Sequence, residues 1–198
     1  MSTRTGVLLL VSGPSGSGKT TLCRRLAQDG EAHYSISCTT REAREGEVNA
    51  RDYYFISREE FEAEAGVGHF IEHAEVHGNL YGTLKSEVIE FLQRGDDVVI
   101  DIDVQGADQV RACEDPLVNA SLVDLFVMPA SEEDLRERLA NRATDTEDVI
   151  SLRLSNALEE MSHAGRYTYQ LISGSKDDDY TRCRSLLVAE RLRVSRFR

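Results

Sequence analysis

The sequence predicts an α/β fold in which a parallel sheet is covered by helices on both faces. Three observations carry that expectation. Continuous apolar runs of strand length, "VLLLVS" (Val7 to Ser12), Val98 to Ile102 and "SLVDLFVMP" (Ser121 to Pro129), read as strands buried on both sides. Helical patterns alternate with such runs, the order a parallel sheet requires. The first run leads straight into "GPSGSGKTT" (Gly13 to Thr21), and "KTTLCRRLA" then carries Leu22, Leu26 and Ala27 at helical spacing. Gly13, Gly18, Lys19 and Thr20 fit G-x-x-x-x-G-K-[ST], a strand-turn-helix loop whose backbone N–H groups cradle phosphates.

The remaining elements follow in order. Gly30 breaks the first helix and "HYSIS" reads as a short strand. "TTREAREGEVNARD" (Thr39 to Asp52) has little apolar content and reads as a solvated loop holding Arg41 and Arg44. "YYF" is a strand fragment. Ser57 and Glu60 stand in capping-box spacing before a short helix ending at Gly66. "FIEHAEVHG" alternates as a strand, and by pattern alone its Glu72 faces solvent. "TLKSEVIEFLQRG" puts Val88, Phe91 and Leu92 on one helix face, with Gly95 after its end.

The strand from Val98 to Ile102 ends in Asp101 and Asp103, which as strand neighbours two apart share a face. Carboxylates so placed repel unless a cation or donor lies between them, and such a strand end is where a phosphate-loop enzyme holds Mg²⁺ or water. "SEEDLRERLANR" starts a helix at Ser131, on which Arg138 and Arg142 lie one turn apart. "TDTEDVISLRLSNALEEM" carries a stripe of Ile150, Leu154, Leu158 and Met161, with Arg153 between. "YQLIS" is the last strand, and a helix runs from about Asp178. Its tail, "RCRSLLVAERLRVSRFR", holds six arginines and reads as amphipathic with a solvated face. Loss of residues 194 to 198 is therefore expected to leave activity and native mass unchanged.

The 198 residues, 40% hydrophobic, suffice for one good core with small inserted subdomains. A net charge of −12 argues against a general nucleic-acid binder, though a cluster of arginines can still make a positive cleft. Cys23, Cys38, Cys113 and Cys183 form no C-x-x-C pair and read as reduced thiols of a cytoplasmic protein, with no zinc site. "MSTRTG" is too short for a signal segment, and no apolar run nears the roughly 20 residues that span a bilayer. A phosphate loop alone fits a kinase, an ATPase, a GTPase or a transporter subunit. The arginines read as two phosphate sites, one for a donor and one for an acceptor.

"SISCTTREAREGEVNARDYYF", "FIEHAEVHGNLYGT", "DIDVQGADQVR" and "RLANRATDTEDVISLRL" closely resemble the signature stretches of the guanylate kinases, in that family's order and spacing. With the phosphate loop, the resemblance covers about residue 7 to about 175. It implies a three-layer P-loop kinase core with a parallel sheet (1–36, 95–132 and 168–198), an inserted GMP-binding region (37–94), and a lid with its following helix (133–167). It implies transfer of the γ-phosphoryl of ATP to GMP or dGMP, with Mg²⁺. Carried over by position, Gly13, Pro14, Ser15, Gly16, Ser17, Gly18, Lys19, Thr20 and Thr21 would bind ATP. Ser37, Glu72, Thr83 and Asp103 would contact guanine, and Arg41, Arg44, Tyr53 and Tyr81 would hold the GMP phosphate. Thr20 and, through water, Asp101 would serve the metal. Lys19, Arg138, Arg142 and Arg153 would act on the transferred group. Tyr53 and Tyr81 also stand beside Asp52, Asn79 and Gly82, which suggest loop ends from which a hydroxyl reaches a phosphate.

The chain departs from that pattern at several points. Ala43 replaces a usual proline, His73 a tryptophan, Leu80 a tyrosine and Ala143 a glycine, and "ISGSKDDD", with Gly174 and Ser175, stands where an Asn-Asp pair usually meets the ATP base. Some domains of this kind are non-catalytic interaction modules lacking the phosphate-binding lysine, but Lys19, the two aspartates and the lid arginines are all present. A kinase for another small phosphate acceptor is a second alternative, against which Glu72 with Asp103 argues. The sequence leaves oligomeric state open.

Overall fold

Every residue from Val7 to Ser12 is buried, as a strand covered on both faces requires. The computed structural model describes residues 4–76, 78–140 and 147–197, with backbone only at 140 and 147–150. In chain order, β1 (Leu8–Ser12), α1 (Lys19–Gln28) and β2 (His33–Tyr34) come first. Next are β3 (Cys38–Thr39), β4 (Tyr54–Phe55), α2 (Arg58–Gly66), β5 (Phe70–Val76) and β6 (Asn79–Leu84). Then follow α3 (Ser86–Arg94), β7 (Val98–Asp101), α4 (Val104–Arg111), α5 (Pro116–Ser121) and β8 (Leu122–Met128). The chain continues with α6 (Glu132–Ala140), α7 (Glu147–Ser162), β9 (Tyr169–Ile172) and α8 (Lys176–Arg191).

The first sheet is parallel throughout, in the order β2-β7-β1-β8-β9. Its alternating side chains build two cores. Leu8, Leu10, Val98 and Ile100 pack on Val88 and Leu92 of α3, Ala107 and Val110 of α4, and Val118 of α5. Leu9, Val11, Val99, Leu125 and Val127 pack on Leu22, Cys23 and Leu26 of α1 and on Cys183 and Leu187 of α8. Each such Leu or Val contributes roughly 1.5–3 kcal/mol on leaving water. The second sheet, β4-β3-β6-β5, has its own small core in which Phe61 of α2 stacks on Phe70, ring centroids 4.4 Å apart. Cys23, Cys38 and Cys183 are buried free thiols, Cys38 in the second core and the other two in the first. Among the described residues no helix is long and apolar enough to cross a membrane.

The predicted strands β1, β7, β8 and β9 and helix α1 are present, and the expected capping box at Ser57 and Glu60 starts α2. Four features differ. The strand ends at Asp101, and Asp103 instead caps α4, its carboxylate accepting from the Gly106 N–H at 2.7 Å. The two aspartates therefore do not share a strand face. "NLYGTL" pairs antiparallel with β5 as β6, so α3 begins only at Ser86. The inward stripe of α7 is Leu154, Ala157 and Met161, while Leu158 is exposed and the Ile150 side chain lies outside the described residues. Helix α8 starts at Lys176, capped by Ser175, with Asp177, Asp178 and Asp179 complementing the helix dipole in its first turn.

The tail also differs from its solvated reading. Arg196 is 2% exposed. It donates to Glu190 Oε2 (3.0 Å), to the Glu190 carbonyl (2.8 Å) and to the carbonyls of Ala120 and Ser121 (both 3.2 Å). Its own carbonyl accepts from the Thr5 N–H at 2.7 Å.

Candidate active site

The phosphate loop joins β1 to α1 at the carboxyl end of the parallel sheet, where ligands of such folds bind. Gly13 has φ 140°, and a Cβ there would lie 2.4 Å from the Val127 carbonyl oxygen, so only glycine fits against β8. Lys19 Nζ donates to the carbonyls of Gly13 (2.5 Å) and Pro14 (3.0 Å), which curls the loop around its own ammonium. The Thr20 hydroxyl contacts the Asp101 carboxylate. That pairing follows from the register of β1 on β7, which sets Val11 opposite Asp101. A cleft of about 720 Å³ opens over the loop, lined by Ser15, Gly16, Gly18, Lys19, Thr20 and Thr21 on one side. Arg25, Arg138, Ser173, Gly174, Lys176 and Asp179 also line it. Pro14 and the buried Ser17 lie in the turn itself; the Ser17 N–H bonds the Pro14 carbonyl at 3.1 Å.

A second group gathers where the second sheet meets α4. Glu72 on β5 is 8% exposed, not solvent-facing. Its Oε1 accepts from the Thr83 hydroxyl at 2.7 Å. That commits the single proton of Thr83, so the Ser37 hydroxyl, 3.4 Å away, is the donor to Thr83. Burial pushes the Glu72 carboxyl up to about 7, the Thr83 bond opposes the rise and the nearby Asp103 charge adds to it. Gly106 makes the approach possible, since a Cβ there would sit 3.0 Å from Glu72 Oε2 and 2.7 Å from Ile102. Ser37, Glu72, Thr83 and Asp103 thus form one acceptor-rich pocket.

A third group adjoins it. Tyr53 and Tyr81 meet edge to face, ring centroids 6.1 Å apart, and the Arg41 guanidinium lies 5.5 Å from the Tyr53 ring. Both oxygens of Glu47 accept from Arg41 at 2.9 Å, and one accepts from the Arg44 N–H at 2.8 Å. Those bonds, the Arg44 N–H foremost, hold the Glu47 carboxyl below its ordinary range. The Arg41 guanidinium is thereby spent on Glu47 beside the two tyrosine rings, and the Arg44 side chain is exposed.

Arg138 on α6 reaches the cleft, paired with Asp134 one turn back at 3.0 Å. Arg153 is half-buried on α7, and Arg142 lies outside the described residues. From the same helix Glu160 feels both Lys19 and Asp103 across the site; burial is the main cause raising its carboxyl. Sequence reading passed over Glu47, Glu160, Ser173 and Asp179. Glu47 lies three residues from Arg44, but Glu42, Glu45 and Asp52 in the same loop offered equal local signals.

A phosphate loop at the carboxyl end of the parallel sheet and a buried carboxylate with neighbouring arginine and tyrosines on the second sheet suit transfer of a phosphoryl group between two nucleotides. Comparison with known proteins agrees. The family model described as Guanylate kinase matches residues 5–190. A guanylate kinase of Clostridium tetani is 39% identical over 193 residues, covering 98% of this chain and 90% of its own. One of Cereibacter sphaeroides is 44% identical over 194 residues with the same coverage. The crystal structure of guanylate kinase from Anaplasma phagocytophilum superposes with a TM-score of 0.81 at 32% identity, covering 99% of this chain and 92% of that one. By sequence along its length and by fold, the chain belongs to the guanylate kinase family, which phosphorylates GMP at the expense of ATP.

Proposed function

We propose that the buried Glu72 carboxylate, bonded by Thr83 and facing Asp103, commits the acceptor site to guanine. That observation carries the assignment. Guanine presents N1–H and N2–H₂ side by side, and an ionised carboxylate offers only acceptors, so Glu72 takes both in a forked pair. Adenine would set its N1 lone pair against the same group. Ser37 and Thr83 fix the carboxylate, and Asp103 supplies a further acceptor. Arg41, Arg44, Tyr53 and Tyr81 hold the GMP phosphate, which displaces Glu47 as their anion. The same groups take guanine and phosphate from dGMP as from GMP, so both serve as acceptors.

The donor lies in the cleft over Gly13 to Thr21. A GMP phosphate oxygen attacks the γ-phosphorus as the bond to ADP breaks. Lys19 neutralises charge on the β- and γ-phosphates, and Arg138, Arg142 and Arg153 close over the group in transit, excluding water. The Thr20 hydroxyl and Asp101 carboxylate are hard oxygen donors that fit Mg²⁺ entering with ATP, Thr20 directly and Asp101 through water. Bound there, the ion would offset phosphate charge. The working parts are the core (1–36, 95–132, 168–198), the acceptor region (37–94) and the lid with its helix (133–167). Four free thiols fit a reducing cytoplasm.

A coupled ADP-release assay across GMP, dGMP, AMP, CMP and UMP tests the reading. GMP and dGMP should be consumed, with AMP discriminated against by about 10⁴-fold, as hydrogen-bonded sites achieve. Comparable kcat/KM for AMP would sink it.

A further inference from the structure

The far wall of the donor cleft carries a chain of three side chains. Asp179 on α8 accepts from the Gly174 N–H with Oδ1 (2.8 Å) and from the Ser173 hydroxyl with Oδ2 (2.9 Å). The Ser173 hydroxyl in turn accepts from Arg138 Nη1 at 3.2 Å. The direction of these bonds is fixed. A carboxylate only accepts, a guanidinium only donates, and a hydroxyl between them has one proton to give. Ser173, 3% exposed, therefore turns its proton to Asp179 and its lone pairs to Arg138. The negative charge of Asp179 polarises that hydroxyl toward the arginine.

Arg138 is thus held from two sides. Asp134 grips Nε and Nη2 at 3.0 Å, and Ser173 takes a proton of Nη1. Two of its five guanidinium N–H groups, on Nε and Nη1, make hydrogen bonds, while Nη2 is ion-paired with Asp134, which leaves N–H groups for a phosphate oxygen. The Gly174 bond alone would shape the β9–α8 loop, whereas the Ser173 bond extends the hold of Asp179 to an arginine on another helix.

We infer that Asp179, acting through Ser173, is a positioning residue that aims Arg138 at the phosphates of the donor. The inference rests on the reading of Arg138 as an arginine of the transfer step. Its effect falls on the donor side, because every group in the chain lines the ATP cleft.

Steady-state kinetics with ATP and GMP varied in turn test it, on Ser173→Ala, Asp179→Asn, Asp179→Ala, Arg138→Ala and the Asp179→Ala/Arg138→Ala pair. Asp179→Asn is the discriminating variant. Its amide oxygen still accepts from Gly174, but its NH₂ now faces Ser173 and reverses the polarity there. Ser173→Ala and Asp179→Asn should each lower kcat/KM for ATP by about tenfold, the worth of one charge-assisted hydrogen bond. KM for GMP should stay within twofold. Asp179→Ala should cost nothing further once Arg138 is alanine. Parent-like ATP kinetics of Asp179→Asn, or a full Asp179→Ala loss in the Arg138→Ala background, would make Asp179 a loop support and overturn the inference. Parent-like turnover of Arg138→Ala would remove the assignment of Arg138 itself, and the inference with it.

Discussion

Glu72 works against the stability of the protein that carries it. Its carboxyl titrates near 7 rather than at the ordinary 4.5, so the folded chain binds that proton more tightly than the unfolded one. With a raised folded value, the group's contribution is most favourable below 4.5 and is lost as pH rises through about 7. Glu72→Gln keeps the Thr83 bond and carries no charge. It should therefore melt higher than the parent at pH 8, with the gap closing as pH falls to about 4, by calorimetry. The same change should lower kcat/KM for GMP by about 10²-fold, since a donor then opposes a guanine N–H in a dry pocket. In the parent, GMP should bind more tightly as pH rises from 6 to 8, with release of a proton; in the glutamine variant that trend should vanish. A Glu72→Gln protein with parent-like GMP turnover would return this side chain to a purely structural role.

At the scale of elements, the end of α8 carries more weight than its composition suggests. Removing residues 194 to 198 takes Arg196 away from Glu190, which is 3% exposed, and leaves that carboxylate with the Tyr169 hydroxyl (2.6 Å) and the more exposed Arg193 (3.3 Å). Breaking one side of a buried pair costs about 3–5 kcal/mol. The truncated protein should melt roughly 10 °C or more below the parent, at about 2–4 °C per kcal/mol for a chain of this size. An unchanged melting temperature would mean that Glu190 finds water on truncation. The tail was misread because six arginines near a chain end look solvated, and nothing local marks the one that also reaches carbonyls 75 and 76 residues away. Elements with strong local signals were legible: the apolar runs of β1, β7 and β8, the phosphate loop, and the Ser57 capping box. β6 was hidden because "NLYGTL" carries a glycine and no clear alternation, and it is held by pairing with β5 on one side and β3 on the other. Asp103 looked like a strand residue because a cap is recognised by the helix after it, and "VQGADQVR" holds a helix-weakening glycine kept for the approach to Glu72. The guanine ligands were readable by resemblance alone, since burial of Glu72 depends on α4 crossing β5.

For the whole molecule, the two sheets are joined by Ile71 of β5, packed in the core of the parallel sheet, and by polar bonds beside it. Gln109 of α4 bonds both the N–H (3.0 Å) and the carbonyl (2.8 Å) of His73 on β5. Glu87 of α3 takes Tyr54 of β4 at 2.8 Å and lies 3.1 Å from His33 of β2. Each substrate at 100 times its dissociation constant should stabilise the fold by about 2.7 kcal/mol. An ATP analogue and GMP together should raise the melting temperature by more than the sum of their separate increments, because closure uses both. Lys19→Ala should erase the ATP increment and spare that of GMP, and Glu72→Gln the reverse. Strict additivity would deny that the sites communicate. The buried thiols offer a way to watch this. Burial raises Cys23 and Cys183 in the first core and Cys38 in the second well above the ordinary thiol range, so none reacts while its own core stays shut. Alkylation of Cys38 then clocks the opening of the acceptor sheet, and alkylation of Cys23 and Cys183 clocks the opening of the parallel one. The molecule thus carries a separate internal timer in each half, and GMP should slow the Cys38 timer more than the other.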